Sequence, residues 1–335
     1  MYLLSTIEQD RAKNKKRLWA AITGFVIAVL AVFIYLIFFQ SAGPETTLER
    51  FVVPINSDQS IASTLEGQDF IKISIGFSIA NLLREAGTVK LGGYKISKSM
   101  TAWQIAGVLS KDPYMKWVVI PEGLRKEEIA GLLTQTLGWS DEEKNKWINI
   151  YTVMDFDHAE GVYFPDTYLI PVDEAPLDVA KRLRAKFEEK FAPYAKETVT
   201  ENIKWTTLLK VASIVQREAN GKEDMPLVSG IIWNRLLKNM KLEVDATLQY
   251  VRGDLGNGWW APITVAEKQI NSPYNTYKYT GLPPHPISNP GLSAIEATLH
   301  PTETTCLYYL HDSSGEIHCS DTFDGHEQNI EKYLK

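Results

Sequence analysis

The dominant feature of the hydropathy pattern is residues 18–39, LWAAITGFVIAVLAVFIYLIFF, which contain no charged side chain. A helix of about 20 apolar residues crosses about 30 Å of hydrocarbon, so a membrane span is predicted. RAKNKKR, residues 11–17, precedes it with Arg11, Lys13, Lys15, Lys16 and Arg17, whereas residues 41–50 are mixed in sign. That asymmetry places the amino terminus in the cytoplasm and the rest of the chain outside it. The apolar core is too long for a signal peptide and no small-x-small cleavage site follows, so the chain is expected to remain anchored.

Beyond a Gly43-Pro44 linker the pattern shortens. Residues 51–55 (FVVPI) and 70–75 (FIKISI) read as strands by their β-branched content, and residues 78–86 as a helix ending before Gly87. Residues 92–96 read as a strand entered by a turn, and residues 101–109 as a helix capped by Ser99 or Thr101. A module this small suits binding or spacing better than catalysis. A strand at residues 117–120 follows, with helices at 125–133 and 141–151. Residues 160–168, EGVYFPDTY, crowd aromatic and acidic side chains into a turn, as either a core corner or one wall of a groove. The charged helix at 177–194 is expected to be a solvated surface element.

The most informative periodicity lies at residues 208–219, where Leu208, Val211, Ala212, Val215 and Ala219 share one helical face and Lys210, Ser213 and Arg217 lie opposite. Glu218 falls on the margin of that stripe, just before the helix stop Asn220-Gly221. The negative end of the helix dipole and the apolar neighbours should both raise its pKa, as suits a general acid. The pattern alone leaves open a structural role, with Glu218 paired to a nearby Lys or Arg or facing water. A second helix, started by Asp224 and Pro226 and running to about Asn239, should pack back on the first. The alternation over residues 241–245 suggests a short strand that aims Asp245 toward Glu218. Residues 272–277 (SPYNTY) offer the hydrogen-bonding and stacking groups that grip sugars. GLPPHP, residues 281–286, is expected to be a rigid loop, and residues 292–299 a last helix before a hairpin.

The 335 residues, 44% hydrophobic and 23% charged, exclude wholesale disorder, and a net charge of −6 argues against nucleic-acid binding. No phosphate loop, HExxH, GxSxG or Cys-His pairing is present, and the six histidines lack ligand spacing, so neither metal nor cofactor is expected. His318 and His326 could meet only if the chain turned back after the hairpin. With Asp312 paired to Glu316, Cys319 lies opposite Tyr309 and Cys306 opposite Thr322. On that register the two thiols point to opposite faces and no bridge is expected.

ASIVQREA (residues 212–219), NRLLKNMKLEVDATLQY (234–250), SPYNTYKYTGLPPHPISNPG (272–291), IPEGLRKEEIA (120–130) and EGVYFPDTY (160–168), in that spacing, resemble the endolytic murein transglycosylase family, MltG or YceG-like. LGGYKISKSMTAWQIAGVL, residues 91–109, resembles the LysM-like module that precedes its catalytic domain. The resemblance implies an α+β protein in a bacterial inner membrane. Its parts would be a cytoplasmic tail (1–17), a span (18–39), a LysM-like module (44–115) and a catalytic region (116–335), the last divided into a connecting part (116–195) and a core (196–335).

The implied reaction is non-hydrolytic cleavage of the β-1,4 bond between N-acetylmuramic acid and N-acetylglucosamine in nascent peptidoglycan, giving 1,6-anhydro ends. The implied catalyst is Glu218. Asp245 and Thr247, Tyr274, Asn275 and Thr276, and Asn234 would contact substrate, and peptidoglycan synthases would be partners. A muramidase using Asp245 and a non-catalytic glycan-binding scaffold are the alternatives. Gln216 departs from the family pattern and leaves Glu218 the sole acid on its helix, while His285 and Glu243 depart from it in ways that bear on loop conformation and glycan subsites.

Overall fold

A computed structural model describes residues 2–56, 59–84 and 88–335, with side chains from Lys13 onward. The chain divides into two compact units, Met1–Trp117 and Val118–Lys335.

The first unit opens with helix α1 (Tyr2–Ile34), closed by a π-helical turn at Tyr35–Phe39. Lys13–Phe39 is long and apolar enough to cross a membrane, and its side chains are exposed throughout the window that meets this criterion. Strand β1 (Glu49–Val53), helices α2 (Ile61–Gly67) and α3 (Ser74–Leu83), strand β2 (Gly92–Ile96) and helix α4 (Ala102–Leu109) complete it, with strand β3 (Met115–Val119) leading into the second unit. β1 and β2 are antiparallel, Phe51 facing Tyr94, and their inner side chains pack with Leu65, Phe77, Ile105 and Leu109. Thr101 is the cap of α4: its hydroxyl accepts from Gln104 N–H while the Gln104 side chain accepts from Thr101 N–H.

Residues 70–75 are not a strand. Phe70 and Ile71 are buried in an irregular segment and α3 starts at Ser74, so their apolar character reflects burial rather than pairing. The expected helix end at Gly87 lies outside the described residues.

The second unit contains helices α5 (Lys126–Leu137) and α6 (Asp141–Lys146), the latter continued by a π turn at Trp147–Tyr151, then strand β4 (Thr167–Pro171) and helix α7 (Pro176–Thr200). Helices α8 (Trp205–Glu218), α9 (Met225–Leu237), α10 (Asp245–Arg252) and α11 (Leu292–Leu299), hairpin β5–β6 (Tyr308–His311, Ile317–Ser320) and helix α12 (Phe323–Tyr333) follow. α8 is the central helix, packed against α7, α9, α10 and α11.

Helix α7 is not simply solvated: Val179, Leu183, Phe187 and Phe191 form a buried stripe at four-residue spacing. Ser213 is fully buried despite lying opposite the apolar face of α8, because its hydroxyl accepts from Ile287 N–H (3.1 Å) and its carbonyl from Ser288 Oγ (3.2 Å). Residues 241–245 do not form a strand. Glu243 has φ of 53°, in the left-handed region that a strand excludes, and Asp245 opens α10.

Cys306 and Cys319 are joined in a disulfide, with Cα atoms 5.8 Å apart. The hairpin register is the expected one, Tyr309 opposite Cys319 and Leu310 opposite His318. The ladder begins only at Tyr308, however, and the segment before it is irregular. Asn234 Nδ2 donates to Thr304 O (2.7 Å) and Cys306 O (3.1 Å), and this bent segment brings Cys306 to Cys319.

Candidate active site

Glu218 ends α8, and its neighbour Ala219 leaves the helix with an extended backbone. The carboxyl opens into a cleft of about 460 Å³ lined by Arg235 of α9, Glu243, Asp245, Tyr277, and Tyr309 of the hairpin, among others. A larger cavity, about 700 Å³, lies beside Phe191, Thr198 and Trp205, but its only carboxylate, Asp157, is exposed and is not joined there by a buried acid.

Burial raises the pKa of Glu218, and the negative charge of Asp245 raises it further. Three groups oppose this: the Tyr309 hydroxyl, which donates to Glu218 Oε2 at 2.6 Å, and His311 and Arg217. Tyr309 is itself held far above its ordinary pKa by burial and by the Glu218 carboxylate, so at neutral pH it is a fixed donor. Tyr277 donates in the same way to Asp245 Oδ1 at 2.5 Å, and its hydroxyl is likewise pushed up by burial and by Asp245.

The positive side of the cleft is Arg235. Its Nε donates to Leu307 O (2.5 Å) and one terminal nitrogen to Leu242 O (2.7 Å), which fixes the guanidinium against the Tyr308 ring, 5.2 Å from its centroid. His326 lines the same wall, with its pKa lowered by burial and then by Arg235. His318 and His326 have different surroundings: His318 meets Asp312 and stacks on Tyr333, while His326 stacks on Tyr308.

The other residues singled out from the sequence divide into two groups. Asp245 lines the cleft with Glu218. Thr247, Asn275 and Thr276 are buried and make their bonds inside the protein. Thr276 Oγ1 accepts from Val244 N–H (3.0 Å) and lies 2.9 Å from Thr247 Oγ1, which donates to Val244 O (2.7 Å). Asn275 Nδ2 donates to Ile270 O and Lys268 O, and its Oδ1 accepts from Tyr277 N–H (2.9 Å). These three side chains therefore shape the loop that carries Asp245 and Tyr277. Tyr274 packs against Tyr250, with ring centroids 5.1 Å apart and the planes tilted by 33°, and Asn234 holds the segment before the hairpin.

Tyr309 and Arg235 carry no local signal in the sequence, since the face of the hairpin turned to α8 depends on the return path of the chain after α11. Tyr277 ends the polar and aromatic run 272–277.

Glu160, from the aromatic turn, is a second buried acid and lies elsewhere. It accepts from Lys126 N–H and from Asn289 Nδ2 (2.7 Å), and burial raises its pKa to about 7. Asn289 also accepts from Tyr163 N–H (2.8 Å) and donates to Leu124 O (3.0 Å), so this group ties together three segments at a core corner.

Residues 51–332 match the YceG-like family. The chain belongs to the YceG-like family. It is 30% identical over 312 residues to an endolytic murein transglycosylase of Bacillus subtilis, covering 87% of this chain and 86% of that protein. It is 27% identical over 310 residues to one of Streptococcus pneumoniae, covering 82% of this chain and 56% of that longer relative. Among solved structures, a yceG-like protein of Listeria monocytogenes superposes with a TM-score of 0.58 at 26% identity, covering 84% of this chain and 99% of that one. The α+β architecture, with one apolar helix at its start, is thus set in a YceG-like framework.

Proposed function

We propose that the chain is a membrane-anchored endolytic murein transglycosylase that cuts the bond between N-acetylmuramic acid and N-acetylglucosamine in nascent glycan strands. The observation that carries this reading is the pairing in one cleft of Glu218, whose pKa is raised by burial, with Tyr309, which donates to it. Glu218 in its acid form protonates the glycosidic oxygen as that bond breaks. As carboxylate it then takes the proton from the muramic 6-hydroxyl while the 6-oxygen attacks C1, leaving a 1,6-anhydro end and a free 4-hydroxyl on the other fragment. Asp245, held by Tyr277, lies where negative charge would favour an oxocarbenium-like transition state. Thr247, Asn275 and Thr276 act by holding that loop, and Arg235 offers a donor for glycan oxygens.

Residues 44–115, a strand-helix-helix-strand arrangement followed by α4, are read as the LysM-like glycan-binding module, and residues 116–335 as the catalytic region. The N-terminal helix fits a single-pass anchor, and the basic residues before it favour a cytoplasmic amino terminus in a bacterial inner membrane. Peptidoglycan synthases, which make the strand that this chemistry cuts, are the partners expected.

Mass spectrometry of uncrosslinked glycan strands treated with the purified protein, beside Glu218→Gln, tests the assignment. Internal anhydro ends from the wild type and a loss of about 10²-fold or more in the variant are expected. Reducing ends instead would make the enzyme a muramidase with Asp245 as the second carboxylate. No cleavage of a substrate that another lytic enzyme cuts would leave a glycan-binding scaffold.

A further inference from the structure

Helix α3 carries no charged residue over its ten positions, SIGFSIANLL. Gly76, Phe77 and Ala80 are buried in the first unit. Around the helix from these lies a second apolar stripe: Ile75, Ile79, Leu82 and Leu83 fall within about a third of a turn of one another at 100° per residue. Ile75 is 55% exposed, Leu82 75% and Leu83 63%. Such a stripe on a helix already packed on one side marks an interaction surface.

What covers it follows from where α3 sits in its own unit. Both α3 and α4 pack against the π turn that ends the apolar N-terminal helix. A side chain on Gly76 would strike the carbonyl oxygen of Ile37, so the backbones touch there and only glycine permits it. Ile37 lies 20 residues beyond Arg17, the last charge before the apolar run. At 1.5 Å per residue that is about 30 Å, the thickness of the hydrocarbon layer, so Gly76 stands where acyl chains give way to headgroups.

Trp103 at the same junction meets Phe38 edge-on, ring centroids 6.4 Å apart, and the Arg84 guanidinium lies over the Trp103 ring, 4.5 Å from its centroid. An indole and a cation with a flexible stem at this level are what a bilayer interface favours. The stripe of α3 begins beside Gly76, where α3 meets the end of the apolar helix.

We propose that α3 is an interfacial helix that lies in the outer surface of the bilayer, with Ile75, Ile79, Leu82 and Leu83 immersed among the lipids. The first unit is then a membrane-seated module rather than one swinging on a tether, and its occupant is lipid rather than a protein partner. This inference rests on the membrane-anchor reading and goes beyond it.

The test uses the full chain in nanodiscs that hold one copy each, with spin labels at Leu82→Cys, at Val29→Cys within the apolar helix, and at Lys196→Cys as an exposed control. Both native cysteines are in the disulfide and do not take the label. Accessibility to oxygen, which partitions into lipid, is compared with accessibility to a water-soluble nickel complex. The expected result is oxygen-dominated relaxation at positions 29 and 82 and nickel-dominated relaxation at 196. A label at Ile75→Cys should repeat the result for 82, which guards against a local disturbance by either label. Lipid exposure at 29 with water exposure at 82 and 75 would leave the anchor standing and overturn the proposal. Water exposure at 29 would remove the anchor and the proposal together. Shielding of 82 and 75 from both reagents in these single-copy discs would mean that the chain itself covers the stripe and would also overturn it.

Discussion

The Tyr309 hydroxyl donates to Glu218 Oε2 across 2.6 Å, and the backbone that carries Tyr309 pairs with Cys319 of the disulfide. The acid at the end of α8 is therefore positioned by a strand 91 residues further along the chain. That hydroxyl favours the ionised form of Glu218, while burial and Asp245 favour the neutral one. Replacing Tyr309 by Phe removes an opposing influence, so the Glu218 pKa should rise further. Because the first step needs the protonated acid, the limb of kcat/KM that falls as pH increases should move to higher pH in Tyr309→Phe. A limb that stays in place while the rate drops would mean that Tyr309 contributes packing alone.

Reduction of the Cys306–Cys319 bridge should reach the same site. The bridged residues are 13 apart, and closing a loop of that size in the unfolded chain corresponds to about 3 kcal/mol. Cys306→Ser with Cys319→Ser should lower stability by roughly that amount in urea titrations. It should also reduce turnover, since Tyr309 loses its braced neighbour. Unchanged turnover in the folded double variant would show that the ladder positions Tyr309 without the bridge.

Thr276 tests whether the buried polar residues of the loop act through structure. Valine in its place fills the volume but leaves Val244 N–H and Thr247 Oγ1 without their partner. An unsatisfied buried donor costs about 1–3 kcal/mol, which should appear as lost stability in Thr276→Val. Turnover should fall through kcat as Asp245 and Tyr277 lose their placement, while a rise in KM alone would indicate direct contact with the glycan.

The legible parts of this protein were those governed by local chemistry. The charge-free run at residues 18–39, the amphipathic period of α8, the capping threonine of α4 and the turn of the hairpin each express their structure within a few residues. Glu218 stands out as a candidate because its offset from the apolar face and its distance from Asn220-Gly221 are both local. What stayed hidden depends on distant pairing. Thr247, Asn275 and Thr276 read as sugar contacts because polar side chains in a loop give no sign of whether their partners are water, ligand or buried backbone. Residues 241–245 alternate like a strand, yet a single left-handed residue at Glu243 redirects them into α10. The disulfide is hidden because a ladder extended past Leu307 puts Cys306 out of register with Cys319, whereas the tether from Asn234 bends the chain there.

Glu160 gives the clearest signature in stability against pH. Its carboxyl is 1% exposed and its pKa rises from 4.5 to about 7, chiefly because burial disfavours the charge. Between those values the folded chain holds a proton that the unfolded chain has released, so stability falls as pH rises through the window and is level above it. At 1.36 kcal/mol per unit, the full cost is about 3 kcal/mol. Glu160→Gln cannot ionise, and although it alters the bonds to Lys126 and Asn289, that change does not depend on pH. The stability of the variant minus that of the wild type should therefore climb by about 3 kcal/mol between roughly pH 4 and 8. Urea unfolding at a series of pH values measures the difference directly. A flat difference would mean that Asn289, Lys126 N–H and the Tyr250 hydroxyl, which donates to Glu160 Oε2 at 3.4 Å, stabilise the carboxylate enough to offset its burial.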